Sequence, residues 1–209
     1  MYDFTKRLID IICSLIGIVI FSIPMLVIAA YIKIVSPGGN VFADTIGRVG
    51  FKGKEFKLFK FRSMIPNAQS WLESQPELFQ KYKENNFKLD PDPRLIPGGK
   101  FIRKYSLDEL PQFFNILNGS MSVVGPRAYF RFELEEQLKK HPEASQDVLD
   151  MQNVKPGLTG VWQTSGRSSV GFVERIKMDA DYSRKRSLIY DILIILKTPL
   201  VVIFGKGAY

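Results

Sequence analysis

The hydrophobic pattern divides the chain unevenly. From Ile11 to Ile32 apolar residues run almost unbroken for 22 positions, long enough for a helix to cross the hydrocarbon core of a bilayer. A secretory signal needs a shorter apolar region and a small-residue cleavage site, and none stands out. Pro24, near the middle, removes a backbone donor and predicts a kink. Ser22 is placed to bond a carbonyl that the kink frees. Lys6 and Arg7 precede the run and Lys33 follows it, so the positive-inside rule keeps both ends cytoplasmic. These features predict a re-entrant helix over residues 1–36 that enters and leaves by one face, with a straight span as the alternative. Asp10 is expected at headgroup depth, where a charge is tolerated.

After the turn Ser36-Pro37-Gly38-Gly39-Asn40 the pattern becomes that of a soluble domain, residues 37–209. Val41–Ile46 reads as a short strand. Phe56–Arg62 roughly alternates apolar and basic residues, as a strand with cations on one side does. Asn67–Leu89 is polar and helical, with a sparse apolar stripe that suits packing. Asp90-Pro91-Asp92-Pro93-Arg94 reads as an Asx turn, with metal binding by Asp90 and Asp92 as the alternative. Leu110–Leu117 has helical spacing and ends at Asn118-Gly119, a helix stop. Ser122–Val124 is a short strand before Gly125-Pro126-Arg127. Helices are predicted over Phe130–Lys140 and Val173–Tyr182. The apolar stretch Leu188–Phe204, interrupted by Asp191, Lys197 and Pro199, reads as amphipathic helices at a membrane surface. The expected fold is α+β and mostly helical: a membrane helix, a small α/β domain with few short strands, and interfacial helices.

Charge narrows the partners. Lys and Arg number 29 against 21 acids, a formal net charge of +8, which suits a phosphorylated ligand, nucleic acid or an anionic lipid face. With one Cys and one His, an intramolecular disulfide and a Cys/His zinc cluster are both excluded. A metal would have to be a hard cation such as Mg²⁺, held by carboxylates and phosphates.

The candidate chemistry centres on Asp108 and Glu109, preceded by Arg103 and Lys104. Cations beside a carboxylate favour its ionised form. An ionised, positioned Asp can act as a nucleophile, and a second carboxylate can take a proton or hold a metal. A structural reading competes: Ser106-Leu107-Asp108-Glu109 spells a capping box, and acids suit a first helical turn. Among the upstream cations, Lys60 or Arg62 is the candidate to reach a diphosphate; a solvated basic face near a membrane is the alternative. The Pro156-Gly157 and Thr159-Gly160 loop either brings backbone donors to a ligand or is a plain turn. Ser165-Gly166-Arg167 is a candidate diphosphate clamp.

Five segments occur in order: Lys60-Phe61-Arg62-Ser63-Met64, Ser106-Leu107-Asp108-Glu109-Leu110-Pro111-Gln112, Val124-Gly125-Pro126-Arg127, Lys155 to Gln163, and Ser165-Gly166-Arg167. Together they resemble the monotopic phosphoglycosyl transferases, the bacterial sugar transferase family, over essentially the whole chain, including the Gly207-Ala208-Tyr209 end. The likeness is to the branch that starts exopolysaccharide, capsule or O-antigen synthesis, here without that branch's extra N-terminal membrane domain. The resemblance implies transfer of a sugar 1-phosphate from a UDP-sugar to a polyprenyl phosphate, with release of UMP. It implies Asp108 as the nucleophile that carries a covalent phospho-sugar, and Glu109 as its partner in proton transfer or in holding Mg²⁺ together with Asp108. Arg103, Arg127 and Arg167, and less directly Lys60, match positions near the phosphates. It places the protein on the cytoplasmic face of a bacterial inner membrane, with the lipid bilayer but no nucleic acid as partner, and leaves a homodimer open. Galactose or glucose is the expected sugar.

Two departures stand out. Pro24 follows Ser22 after one intervening residue, where the family has Ser-Pro adjacent, and Ser120 stands where the family has Asp. The competing class of function is a non-catalytic membrane-associated module that binds anionic lipid or nucleic acid through its positive surface. Against it, the bases are dispersed among motifs rather than grouped on one helix, and no nucleic-acid fold signature appears.

Overall fold

The computed structural model describes residues 2–43, 47–85, 87, 89–165 and 170–204. It is mostly helical with a few short strands. Helix α1, Tyr2–Val35, carries Pro24 inside it and is long and apolar enough to cross a membrane. At about 1.5 Å per residue its 34 residues extend roughly 50 Å. One stripe of α1 faces protein: Asp10, Ser14, Gly17, Ile28 and Ile32 are buried, with Phe21 stacked on Phe113. At Gly17 the approach is so close that a Cβ would meet the Phe113 ring at 2.6 Å. The opposite faces stay apolar and exposed from Phe4 through Ile20, Ile23 and Leu26 to Ile34.

Both ends of α1 are tied to the same body. At the start, Lys6 pairs with Asp191 at 2.8 Å, and Arg7 donates to the Ile116 and Leu117 carbonyls at 2.6 and 2.8 Å. Those carbonyls belong to the last turn of a helix, where cations and donors are favoured. At the other end, Tyr31 Oη donates to the Pro97 carbonyl at 3.0 Å. Asp10 does not face headgroups. It is 3% exposed and accepts hydrogen bonds from Ser122 Oγ and Val123 N–H, each at 2.9 Å. Ser22 donates to the Val19 carbonyl at 2.8 Å, whereas the acceptor that Pro24 leaves is that of Ile20, four residues back.

Strands β1 (Arg48–Val49) and β2 (Glu55–Phe56) pair antiparallel. Residues 57–62 run on as extended chain, bridged to Phe42 through Phe61. The expected strand 41–46 is described only to residue 43. Helices α2 (Ala68–Glu73) and α3 (Pro76–Glu84) follow. Asp92 then accepts from the Arg94 backbone at 3.0 Å and from its guanidinium at 2.9 and 2.8 Å, which is the Asx-turn reading. Helix α4 (Gly99–Lys104) leads to a 3₁₀ turn, Leu107–Glu109, and then α5, Gln112–Asn118. The stop expected at Asn118-Gly119 is there, with Gly119 left-handed at φ 86°.

Strands β3 (Ser122–Val124) and β4 (Gly157–Thr159) pair in parallel. Gly125 and Gly157 lie back to back, and a Cβ on either would strike the other segment's backbone; glycine is needed for that approach rather than for a turn. Helices α6 (Arg131–Lys140), α7 (Ser145–Met151), α8 (Val161–Ser165), α9 (Phe172–Lys185) and α10 (Leu188–Phe204) complete the described fold. The exposed apolar face of α10 runs through Ile189, Leu193, Leu196, Leu200 and Ile203.

Candidate active site

The Asp108-Glu109 pair sits in the 3₁₀ turn between α4 and α5. Ser106 adopts the left-handed conformation, φ 53°, and its side chain caps nothing. The capping box is therefore not formed, because a residue at positive φ cannot serve as an extended N-cap. The turn is held instead by Phe61 N–H, which donates to the Asp108 carbonyl at 2.8 Å. That contact sets Lys60 against both acids: its ammonium is 2.9 Å from Asp108 Oδ2 and 3.2 Å from Glu109 Oε1.

The two acids differ. Asp108 is 2% exposed, and Oδ2, despite its close ammonium, has no aligned hydrogen bond. Burial pushes its carboxyl above the usual range, against the pull of Lys60. Sequence reasoning on neighbouring cations alone gave the opposite direction; desolvation is larger here. Glu109 also loses solvation, but Lys60 and then Arg127 outweigh that and hold it below the usual carboxylate range.

Glu109 and Lys60 line a cleft of about 420 Å³, open mouth included, with Arg48, Arg127, Gln112, Gln163, Gly157 and Leu158. Asp108 lies behind Lys60. Arg48 stacks on Phe130, its guanidinium 3.2 Å from the ring centre. Burial, then Arg127, lowers its pKa to about 9. The Glu133 and Glu109 charges outweigh burial at Arg127 and hold it fully cationic. Three cations thus face one half-buried acid, an arrangement suited to a polyanion such as a diphosphate.

Of the other candidates, Arg103 lies in the last turn of α4; its charge opposes, without overcoming, the upward push of burial on the Asp108 carboxyl, and it does not line the cleft. Arg167 lies outside the described residues. Arg62 is not a ligand residue: it is buried and donates to Asn40 O, Ser36 Oγ and O, and Met64 O. Lys60 and Arg62, expected on one side, separate because the second locks the exit of α1. Sequence reasoning did not single out Arg48, one cation among several in the segment before Lys60; Gln112 and Gln163 carried no signal beyond their motifs.

Supports behind the cleft are polar. Asn115 accepts from Phe59 N–H at 2.7 Å and donates to the Lys57 carbonyl at 2.8 Å, fixing the chain just before Lys60. It also donates to Ser120 Oγ at 3.0 Å, so Ser120 braces this support instead of entering the cleft. Asp179 on α9 is fully buried and accepts Arg127 N–H at 3.1 Å. Burial raises it to about 8.

Among the described residues no three or more His, Cys, Asp or Glu side chains cluster as a metal site. The acidic pair, with one buried oxygen lacking an aligned partner, still fits Mg²⁺. That ion takes one or two carboxylates and draws its remaining oxygens from phosphate and water.

Residues 1–205 match the family described as bacterial sugar transferase. An undecaprenyl-phosphate galactose phosphotransferase of Salmonella typhimurium is 42% identical over 209 residues, covering 99% of this chain and 42% of the relative. The exopolysaccharide production protein ExoY of Sinorhizobium fredii is 35% identical, covering 98% of this chain and 88% of its own length. A UDP-glucose:undecaprenyl-phosphate glucose-1-phosphate transferase of Klebsiella pneumoniae is 38% identical, covering 98% and 41%. The chain thus spans about two fifths of the first and third relatives and most of the second.

Proposed function

The chain belongs to the bacterial sugar transferase family, and from that premise we propose that it moves a hexose 1-phosphate from a UDP-hexose to a polyprenyl phosphate. The observation that carries the reading is one cleft that joins Arg48, Lys60 and Arg127 to the Asp108-Glu109 turn. In the first step a carboxylate oxygen of Asp108, uncovered as Lys60 turns toward the diphosphate, attacks the phosphorus that bears the sugar. The bond from that phosphorus to the bridging oxygen breaks, and UMP leaves with its electrons. In the second step an oxygen of the polyprenyl phosphate attacks the same phosphorus and frees Asp108. Glu109, held ionised by Lys60 and Arg127, takes the acceptor's proton. The cations neutralise charge on the diphosphate and the leaving group, the main protein contribution in phosphoryl transfer. Asp108 and Glu109 would hold Mg²⁺, which supplies further neutralisation of the diphosphate when bound.

A membrane-face, monotopic placement accompanies this reading. Both ends of α1 bond to one body, which favours entry and exit by a single face, and the exposed faces of α1 and α10 are apolar. The donor sugar is galactose or glucose. Incubation with UDP-hexoses, polyprenyl phosphate and Mg²⁺ is expected to release UMP. Intact-protein mass spectrometry with donor alone should show a hexose-phosphate adduct that Asp108→Asn abolishes. An adduct that persists in Asp108→Asn removes the nucleophile, and an absence of UMP with every donor removes the activity.

A further inference from the structure

The cleft lining is of two kinds. The cations and Glu109 address phosphate, whereas Gln163, on α8, is neutral and directional. Its Oε1 is buried and has no hydrogen-bond partner, although the residue lines the cleft beside Arg127, Gly157 and Leu158. A desolvated carbonyl oxygen without a donor is unfavourable. A phosphate oxygen, an acceptor itself, cannot relieve that cost; a ligand O–H or N–H can. Building on the transfer reaction proposed above, we infer that Gln163 is a specificity-determining residue whose Oε1 accepts a hydrogen bond from a hydroxyl of the donor hexose.

The hexose is the group that fits. It is bonded to the phosphorus under attack, so it must share the cleft with the acidic turn, while the nucleoside lies one phosphate further away. A side-chain amide at a fixed position distinguishes hydroxyl epimers, because the wrong epimer leaves the buried oxygen unpaired. Leu58 and Leu158, also in the lining and only half-buried, offer apolar surface to the sugar's C–H face.

The test compares wild type, Gln163→Met and Gln163→Leu in kcat/KM for UDP-galactose and UDP-glucose, with inhibition by UMP measured alongside. Thermal midpoints check that the variants are folded; Met, unbranched and of similar length, covers failure of the Leu variant. The expected result is a loss of roughly 10-fold or more for the preferred donor, a galactose-to-glucose ratio drawn toward unity, and unchanged UMP inhibition. An unchanged donor ratio overturns the assignment. UMP inhibition that weakens in step with donor use overturns it in favour of nucleoside contact. Failure of the wild type to release UMP from any UDP-hexose sinks the underlying reaction instead, and this inference with it.

Discussion

Replacing Lys60 by Met removes one ammonium from between two carboxylates while keeping an unbranched side chain. At 2.9 and 3.2 Å, each contact corresponds to roughly 5–6 kcal/mol before desolvation at an effective dielectric near 20. Desolvation and the cleft's access to water cut the net for Asp108 to about 1.5–3 kcal/mol, the usual range for a hydrogen bond to a charged group. Loss of that attraction should push the Asp108 carboxyl further up. Its pKa is already raised by burial, so the substitution acts in the same direction. In the proposed reaction attack requires the ionised form, so the rising limb of kcat/KM against pH for UMP release should move to higher pH, with kcat/KM on that limb lower by roughly 10–100-fold. Stability has a matching sign. A carboxyl whose folded pKa is raised favours folding while protonated, and that contribution is lost as pH rises through the folded value. Lys60→Met should accordingly lose more thermal stability, relative to wild type, at pH 8 than at pH 5. A rising limb that stays in place while turnover persists would refute the account of Lys60 as the cation that sets Asp108.

Three further outcomes are expected. Asp10→Ala strips acceptors from Ser122 Oγ and Val123 N–H and should lower stability by about 2–4 kcal/mol, with Asp10→Asn losing less, read by thermal unfolding in detergent or nanodiscs. Asp179→Asn removes a buried acid raised to about 8; wild type should lose stability from about pH 4 to pH 8, while the variant should lose less over that range and be the more stable protein at pH 8. Arg48→Ala and Arg127→Ala should each raise KM for the UDP-hexose about 10-fold or more, seen in initial-rate kinetics, because each removes one of the three cations facing Glu109.

Much of the scaffold was legible. The apolar run, the helix stop at Asn118-Gly119 and the Asx turn at Asp92 follow from local rules and stand in the structure. What failed to show was tertiary. Ser106-x-x-Glu109 matches a cap by spacing, but Phe61 holds the Asp108 carbonyl and Ser106 turns left-handed. Lys60 and Arg62 are two residues apart and chemically alike, yet one faces the acids and the other the exit of α1. The direction of the Asp108 shift depends on how deeply the turn is packed, which neighbouring letters do not report. Arg48 gains its place by stacking on Phe130, a residue far along the chain.

The stripe of α1 that faces protein also bears on biogenesis. Asp10 finds its donors at residues 122 and 123 and Lys6 its acceptor at residue 191, all made long after this helix leaves the ribosome. Until they arrive, the nascent anchor holds a carboxylate and an ammonium that hydrocarbon disfavours. Stable seating in the lipid thus waits on nearly the whole polypeptide, and a truncated translation product should remain loosely bound and open to proteolysis.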